Sequence, residues 1–245
     1  MLRTETEDGV LTVTLARPER RNAIDGELAS RLREAFEAAA DDGEVRALIL
    51  TGEGKAFSAG GDLSRFERDW DPREFRHDSH RLTSLITLLE RLEKPTVAAI
   101  NGAVTGAGTQ LALVCDVRLA AASARFIYRE GRLGIIPSHG GVTRLVKLIG
   151  QARARDVLLG GEELSATEAH HVGLVTAVVD DDQLHSAARA RVELMLKRSP
   201  QAYAAAKRLL WLAASVDLES GMVAEGIAQS LLIGTEEHRE ARWRR

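Results

Sequence analysis

Cysteine occurs once in this chain of 245 residues, as Cys115. No internal disulfide is therefore available, which fits a reducing cytoplasm. Aromatic residues make up only 4%, so the core must be aliphatic and alanine-rich, a composition suited to close approach of helices and strands. No strong charge of either sign is present. Lys and Arg number 33 against 36 Asp and Glu, a net charge of −3, which gives no footing for a nucleic-acid partner. No apolar run is long enough to span a membrane, and the best candidate is broken by Asp116 and Arg118. The first eight residues, Met1 to Asp8, carry acids where a secretory signal would need an apolar centre. No His or Cys spacing suggests a metal site. The glycine runs match neither a phosphate loop nor a dinucleotide fingerprint.

What is present is a strongly alternating pattern. Asp8-Gly9 predicts a hairpin turn between two short strands. Asp25 predicts an N-cap for a helix over about Gly26 to Ala40, with Leu28, Leu32 and Phe36 on one stripe. Buried strands are expected over Val45 to Thr51 and Thr96 to Ile100, and shorter extended segments over Asp116 to Ala121, Ala124 to Tyr128 and Val175 to Val179. The charged segment from about Ser64 to His80 reads as a mobile loop feeding a helix through Leu92. Gly106 to Val114 reads as a helix, and Ser138 or His139 starts another that ends at Gly150, with a further helix over about Ala152 to Leu159. Ser165-Ala166-Thr167-Glu168 matches a capping box. Beyond Asp181 only helices are expected, one starting at Pro200 behind Ser199. The tail from Glu236 to Arg245 is highly charged. Strand–helix alternation followed by helices argues an α/β chain with a helical C-terminal region.

Two glycine-rich stretches carry the chemistry. Lys55-Ala56-Phe57-Ser58-Ala59-Gly60-Gly61-Asp62-Leu63 and Asn101-Gly102-Ala103-Val104-Thr105-Gly106-Ala107-Gly108 each follow a buried strand. Either could be a tight structural turn alone. Together they bring bare backbone N–H groups, at Gly61 and Ala107, to a shared place where an oxyanion can be held. The positive end of the helix starting near Gly106 would point there too.

At this point the sequence resembles a known family. Arg21-Asn22-Ala23-Ile24, the Lys55–Leu63 run, Lys94-Pro95-Thr96-Val97-Ala98-Ala99-Ile100-Asn101-Gly102, Cys115-Asp116, Gly134-Ile135-Ile136-Pro137 and Gly140-Gly141 occur in the order seen in the crotonase (enoyl-CoA hydratase/isomerase) superfamily, over nearly the whole chain. The resemblance implies a spiral of ββα units over residues 1–180, and a helical region over 181–245 for trimerisation and pocket closure. It implies trimers or hexamers made of two trimers, and coenzyme A as part of an acyl-CoA substrate with no permanently bound cofactor. It places an oxyanion hole at Gly61 and Ala107, and CoA-thioester contacts at Arg21, Ala23, Ala59, Asp62, Leu63 and Ser64. Basic neighbours for the CoA phosphates would be Arg20, Arg21 and Lys55, with Lys207 or Arg208 from a neighbouring subunit. The acyl pocket would lie between the segment Leu63 to Leu85 and the last helices.

The hydratases of this family carry two glutamates. Here one position is Glu130 and the other is Gln110. A glutamine amide holds a water or substrate group by hydrogen bonds but takes no proton. One carboxylate suffices to carry a proton between two carbons, which is double-bond isomerisation, and it can also activate water. Ser138, where some relatives carry an aspartate, reads either as a helix N-cap or as a site residue. His139 reads as a candidate second acid/base titrating near neutral pH. The expected activity is enoyl-CoA isomerisation or hydration in fatty acid metabolism. The alternatives are another enolate reaction, such as decarboxylation or retro-aldol cleavage, and a non-catalytic acyl-CoA-binding or assembly protein.

Overall fold

The computed structural model describes residues 1–67, 69–161 and 163–243. Arg244 and Arg245 of the charged tail, and Arg68 of the charged segment, lie outside the described residues. The chain opens with a hairpin, β1 (Leu2–Glu7) and β2 (Val10–Leu15). Asp8 and Gly9 both take positive φ, 47° and 76°, the backbone a two-residue turn demands. α1 (Gly26–Asp41) follows, and the Asp25 carboxylate accepts from the Leu28 N–H as N-cap.

Three strand pairs then repeat one pattern: β3 (Ala47–Gly52) with β4 (Ala56–Ser58), β5 (Thr96–Ile100) with β6 (Ala103–Thr105), and β7 (Val117–Ala121) with β8 (Arg125–Ile127). The first strand of each pair joins a six-stranded sheet, ordered β1-β2-β3-β5-β7 and then a last strand β10 (Ala177–Val179), and the second joins a four-stranded sheet, ordered β4-β6-β8 and then β9 (Glu163–Ser165). Successive turns pair in parallel, β3 with β5 with β7 and β4 with β6 with β8. The chain thus winds as a spiral of ββα units. α2 (Pro72–Arg91) and α3 (Gly106–Val114) leave the second strands, α4 (Gly141–Gly160) follows β8, and β9 (Glu163–Ser165), α5 (Ala166–His171) and β10 (Ala177–Val179) close the spiral. The expected capping box is formed, with Ser165 and Glu168 bonding each other's backbone.

β3 and β5 are buried along their whole length, which explains their unbroken apolar character. One core lies against α1, α2 and α3, built from Leu28, Leu32, Phe36, Phe57, Leu85, Ile86, Leu89 and Leu111 among others. On the other face of the six-stranded sheet, Val10, Ile49, Val97 and Leu119 meet Leu184, Ala188 and Val192 of α6 (Leu184–Leu196). This first helix of the C-terminal region therefore belongs to the packing of the spiral. α7 (Pro200–Ala213), α8 (Leu218–Ile233) and α9 (Glu236–Trp243) follow. The Lys207 ammonium ties α7 to the spiral through Asp116, 2.9 Å away, with the Tyr203 hydroxyl donating to the same carboxylate at 3.0 Å. The Ser199 hydroxyl donates to Glu237. α8 buries no residue, and Leu218, Met222, Val223, Ile227 and Leu231 are all exposed.

Two expectations are corrected and one is met. The segment expected as a loop to His80 is helical from Pro72, because the Asp71 carboxylate caps the N–H groups of Arg73 and Glu74 and Pro72 occupies the first turn. The helix expected from Ser138 or His139 begins at Gly141, behind Gly140 with no side-chain cap, so Ser138 is not its N-cap. Gly150, at φ 77° and ψ 161°, breaks α4 into two helical pieces where the sequence put a stop.

Candidate active site

The Arg21–Asp25 segment is stitched alongside the first glycine loop. Ala59 N–H donates to Arg21 O at 2.8 Å, Ile24 N–H to Gly60 O at 2.7 Å, and Asp62 N–H to Ile24 O at 3.0 Å. Fully buried Asn22 donates to Glu53 O and Ala56 O at 2.9 and 2.7 Å, and its carbonyl accepts from Arg17 N–H. The Ser58 hydroxyl donates to Asn22 O and accepts from Gly60 N–H. The N–H groups of Ala59, Gly60 and Asp62 are thus all paired. The Gly61 N–H among them has no acceptor within the described residues.

The second loop reaches the same place. A Cβ on Gly60, which sits at φ 82°, would lie 2.9 Å from Thr105 O and 3.2 Å from Ala107 N. The two loops are therefore in backbone contact, an approach only glycine allows. Ala107 N–H lies in the first turn of α3, where N–H groups lack helical partners, and Thr105 provides no side-chain cap. The other end of α3 is closed by the buried Arg118 guanidinium, whose Nη1 donates to Cys115 O at 2.6 Å and whose Nε donates to Leu174 O at 2.8 Å. The helix is thus held at its C-terminus and open at its N-terminus.

Gly61 and Ala107 line one cavity of about 460 Å³ with Gln110 and Glu130. Arg20, Arg21, Ala23, Ala59, Asp62, Leu63, Ser138 and His139 line it as well. Its apolar walls come from Leu82, Ile127, Leu133, Ile135, Ile136 and Pro137. Glu130 opens the short 3-10 turn Glu130–Leu133 after β8. Its Oε2 is buried without a hydrogen-bond partner, and burial holds its carboxyl above the ordinary carboxylate value, against opposing backbone hydrogen bonds. A raised carboxyl with a spare oxygen on a cavity wall is suited to accept and return a proton. Gln110 is buried on α3 with Oε1 unpartnered. Its Nε2 lies against Gly141, where a Cβ would come within 2.9 Å.

Several expected residues stand elsewhere. Ser64 does not line the cavity; its hydroxyl donates to Asp62, whose carboxyl is held low by the Ser64 hydroxyl and N–H. Lys55 is not on the cavity wall. Lys207 and Arg208, expected to serve a neighbouring subunit, pair within their own chain with Asp116 and Glu93. Among the described residues of this single chain none of α7, α8 or α9 lines the cavity, and Leu133, Ile135, Ile136 and Pro137 contribute to its wall. His139 does not titrate near neutrality. Burial, with Arg65 nearby, pushes its imidazole down to about 4, so it is neutral in that range. Arg65 and Thr83, which shape this end of the site, carried no motif in the sequence. Among the described residues no group of His, Cys, Asp and Glu is placed to hold a metal ion. Cys115 is buried and free, its thiol pushed up to about 12 by desolvation, so it is an inert packing residue.

A family model described as Enoyl-CoA hydratase/isomerase matches residues 5–243. The chain belongs to the enoyl-CoA hydratase/isomerase family. It is 37% identical over 231 residues to a 2,3-dehydroadipyl-CoA hydratase of Escherichia coli, covering 94% of this chain and 89% of that protein. It is 40% identical over 188 residues to a 1,2-epoxyphenylacetyl-CoA isomerase of the same organism, covering 75% and 71%. Its fold matches an enoyl-CoA hydratase structure from Bacillus anthracis with a TM-score of 0.93 at 34% identity, over 98% of this chain and 93% of that one. As a member of this family the chain has the crotonase-type spiral expected from its sequence. Among the described residues no helix is long and apolar enough to cross a membrane.

Proposed function

We propose that this enoyl-CoA hydratase/isomerase family member is an acyl-CoA enzyme that stabilises a thioester enolate and moves a proton with Glu130. The observation that carries the reading is a single cavity holding two free backbone N–H groups, at Gly61 and Ala107, and a buried carboxylate oxygen with no partner. With the thioester carbonyl between the N–H groups, Glu130 takes a proton from the α-carbon. The charge that develops on the carbonyl oxygen is met by both donors, each worth roughly 3–4 kcal/mol in the transition state. Returning the proton to the γ-carbon of a 3-enoyl thioester moves the double bond into conjugation. Alternatively, Glu130 takes a proton from a water that adds to the β-carbon, and the enolate is reprotonated at the α-carbon. Gln110 in the place of a second carboxylate favours isomerisation, since its amide orients a group but accepts no proton.

Coenzyme A enters only as part of the substrate in this reading. Arg20 and Arg21 at the cavity mouth suit its phosphates. The unpartnered apolar face of α8 supports assembly into a homotrimer or a pair of trimers, with a neighbour completing pocket closure. The single reduced cysteine fits a cytoplasmic enzyme.

The test is incubation with crotonyl-CoA and, separately, a 3-enoyl-CoA, followed by ultraviolet absorbance and mass. Conjugation of the 3-enoyl thioester without mass change is the expected result. Addition of water to crotonyl-CoA would show that Glu130 suffices for hydration. Thioester binding with no turnover of either would sink both reactions in favour of another enolate chemistry or a non-catalytic role.

A further inference from the structure

His139 is built into the cavity wall with unusual care. It takes a left-handed backbone, φ 55°, which a non-glycine residue holds only when its surroundings impose it. Its carbonyl accepts from Arg144 Nη1 at 2.7 Å. Arg144 is fixed in turn by a two-pronged pair with Glu90 of α2, at 2.7 and 2.6 Å. The ring is held by the same helix, with Nδ1 2.9 Å from Thr83 Oγ1.

The Thr83 hydroxyl has one proton and two neighbours, the Ser79 carbonyl at 3.1 Å and His139 Nδ1 at 2.9 Å. Both contacts are hydrogen bonds only if Thr83 donates to the carbonyl and the imidazole donates through Nδ1. Nε2 then carries a bare lone pair. Among the described residues nothing donates to it. The nearby Arg65 guanidinium, paired with Asp78 at 2.8 Å, opposes protonation of the ring. A neutral acceptor is thereby left on the wall of the cavity that holds Glu130 and the free N–H groups.

We propose that His139 is a specificity-determining residue, and that its Nε2 selects acyl-CoA thioesters bearing a hydroxyl group on the acyl chain beyond the reacting carbons. The inference rests on the acyl-CoA reading of the cavity and names its substrate class. With the thioester end taken up by Gly61, Ala107 and Glu130, His139 on the wall of the same cavity is left for the remainder of the acyl group. A plain alkyl chain laid against Nε2 strips that nitrogen of water and returns nothing. A hydroxyl donates to it. Sites built around an unpaired polar group discriminate against the analogue that cannot pair.

The experiment is a set of binding titrations with saturated, unreactive thioesters: hexanoyl-CoA against 6-hydroxyhexanoyl-CoA, and octanoyl-CoA against 8-hydroxyoctanoyl-CoA. The wild-type protein is expected to favour the hydroxylated member of at least one pair by about three- to tenfold, the yield of one neutral hydrogen bond. His139→Gly, which also relieves the left-handed backbone, is expected to erase that preference. Thr83→Val, which leaves the imidazole in place but frees its tautomer, is expected to reduce it. Nitrogen-15 spectra of the imidazole are expected to show a protonated Nδ1 and a bare Nε2 near neutral pH. Equal affinities within both pairs for the wild type, a preference surviving in His139→Gly, or a protonated Nε2 would each overturn the proposal. Failure of all four thioesters to bind would instead overturn the acyl-CoA reading beneath it.

Discussion

Gln110→Glu tests the division of labour in the cavity, and it should raise activity while lowering stability. The substitution is nearly isosteric, so packing against Gly141 changes little. What changes is charge. Residue 110 is 3% exposed, its Oε1 has no partner, and the cavity already contains the Glu130 carboxyl. Burial and a like charge both raise a carboxyl's pKa. In the unfolded chain the new glutamate ionises near about 4.3, and every tenfold weakening of the acid on folding corresponds to about 1.36 kcal/mol. At about pH 7 the cost is capped by the option of keeping the group protonated, which sets a ceiling of about 3.7 kcal/mol. For a chain of this size that ceiling is a fall in Tm of roughly 7–15 °C.

The sign follows from linkage. A carboxyl raised in the folded state loses stability as pH rises from the unfolded pKa through the folded one. The Tm gap between the variant and the wild type should therefore be small near about pH 4–5 and widen toward about pH 8. Hydration of crotonyl-CoA by the variant should rise tenfold or more, on the order expected for restoring a general acid/base. Thermal unfolding across that pH range and the hydration assay read the two effects separately. A Tm gap independent of pH would refute the placement of residue 110 as a desolvated site beside Glu130. A pH-dependent gap without a gain in hydration would show that cavity shape, not the missing carboxylate, limits that reaction.

Glu130→Gln is expected to lower turnover by about 10²–10⁴-fold while CoA-thioester binding in calorimetry survives; retention of turnover would remove Glu130 from the chemistry. Because the Glu130 carboxyl is raised and must be ionised to accept a proton, the rate should fall on the acid side with a midpoint above the ordinary carboxylate value. The same elevation means that ionised Glu130 costs stability at neutral pH, so Glu130→Gln should melt above the wild type there and lose that advantage below the ordinary carboxylate range. Gly60→Ala places a Cβ 2.9 Å from Thr105 O at a positive φ, so it should part the two loops and cut kcat/KM by about 100-fold. Gly108→Ala drives a Cβ to within 2.5 Å of the Ser58 Cβ, a contact backed by fixed strand, and should lower unfolding free energy by about 1–3 kcal/mol in urea titration.

Much of the spiral is legible in the sequence because its signals are local. The Asp8-Gly9 turn, the Asp25 and Ser165 caps and the break at Gly150 all depend on residues within a few positions of one another. The strands β3 and β5 announce themselves by unbroken burial. Of the second strands, only β8 falls in a segment expected to be extended, Ala124 to Tyr128. β4 and β6 are three residues long, too short to show a period, and they exist because neighbouring turns of the spiral pair them. The start of α2 is hidden for a different reason. Its first turns are charged and lack an apolar stripe, so Asp71 and Pro72 set its beginning rather than periodicity. The partial burial of α6 also depends on a sheet face that no local pattern in residues 184–196 describes.

The candidate site divides along the same line. Gly61 and Ala107 sit in runs whose small residues mark them, Gln110 and Glu130 are marked by the family resemblance, and the cavity gathers all four. The histidine is visible in the sequence as a residue but not as an environment. Its neutral state depends on Arg65, 74 positions earlier in the chain, and on the walls that desolvate it; its tautomer depends on Thr83, whose hydroxyl is bonded to its own helix. Neither partner belongs to a motif, and nothing in the spacing of residues 65, 83 and 139 foretells that they meet. A sequence reading naturally assigns an isolated histidine its solution behaviour, a group that titrates near neutrality. The fold converts it into a fixed, uncharged acceptor. The two backbone loops are therefore written in glycine runs, whereas the state of His139 is written in contacts between α2 and the loop before α4, which only the folded chain assembles.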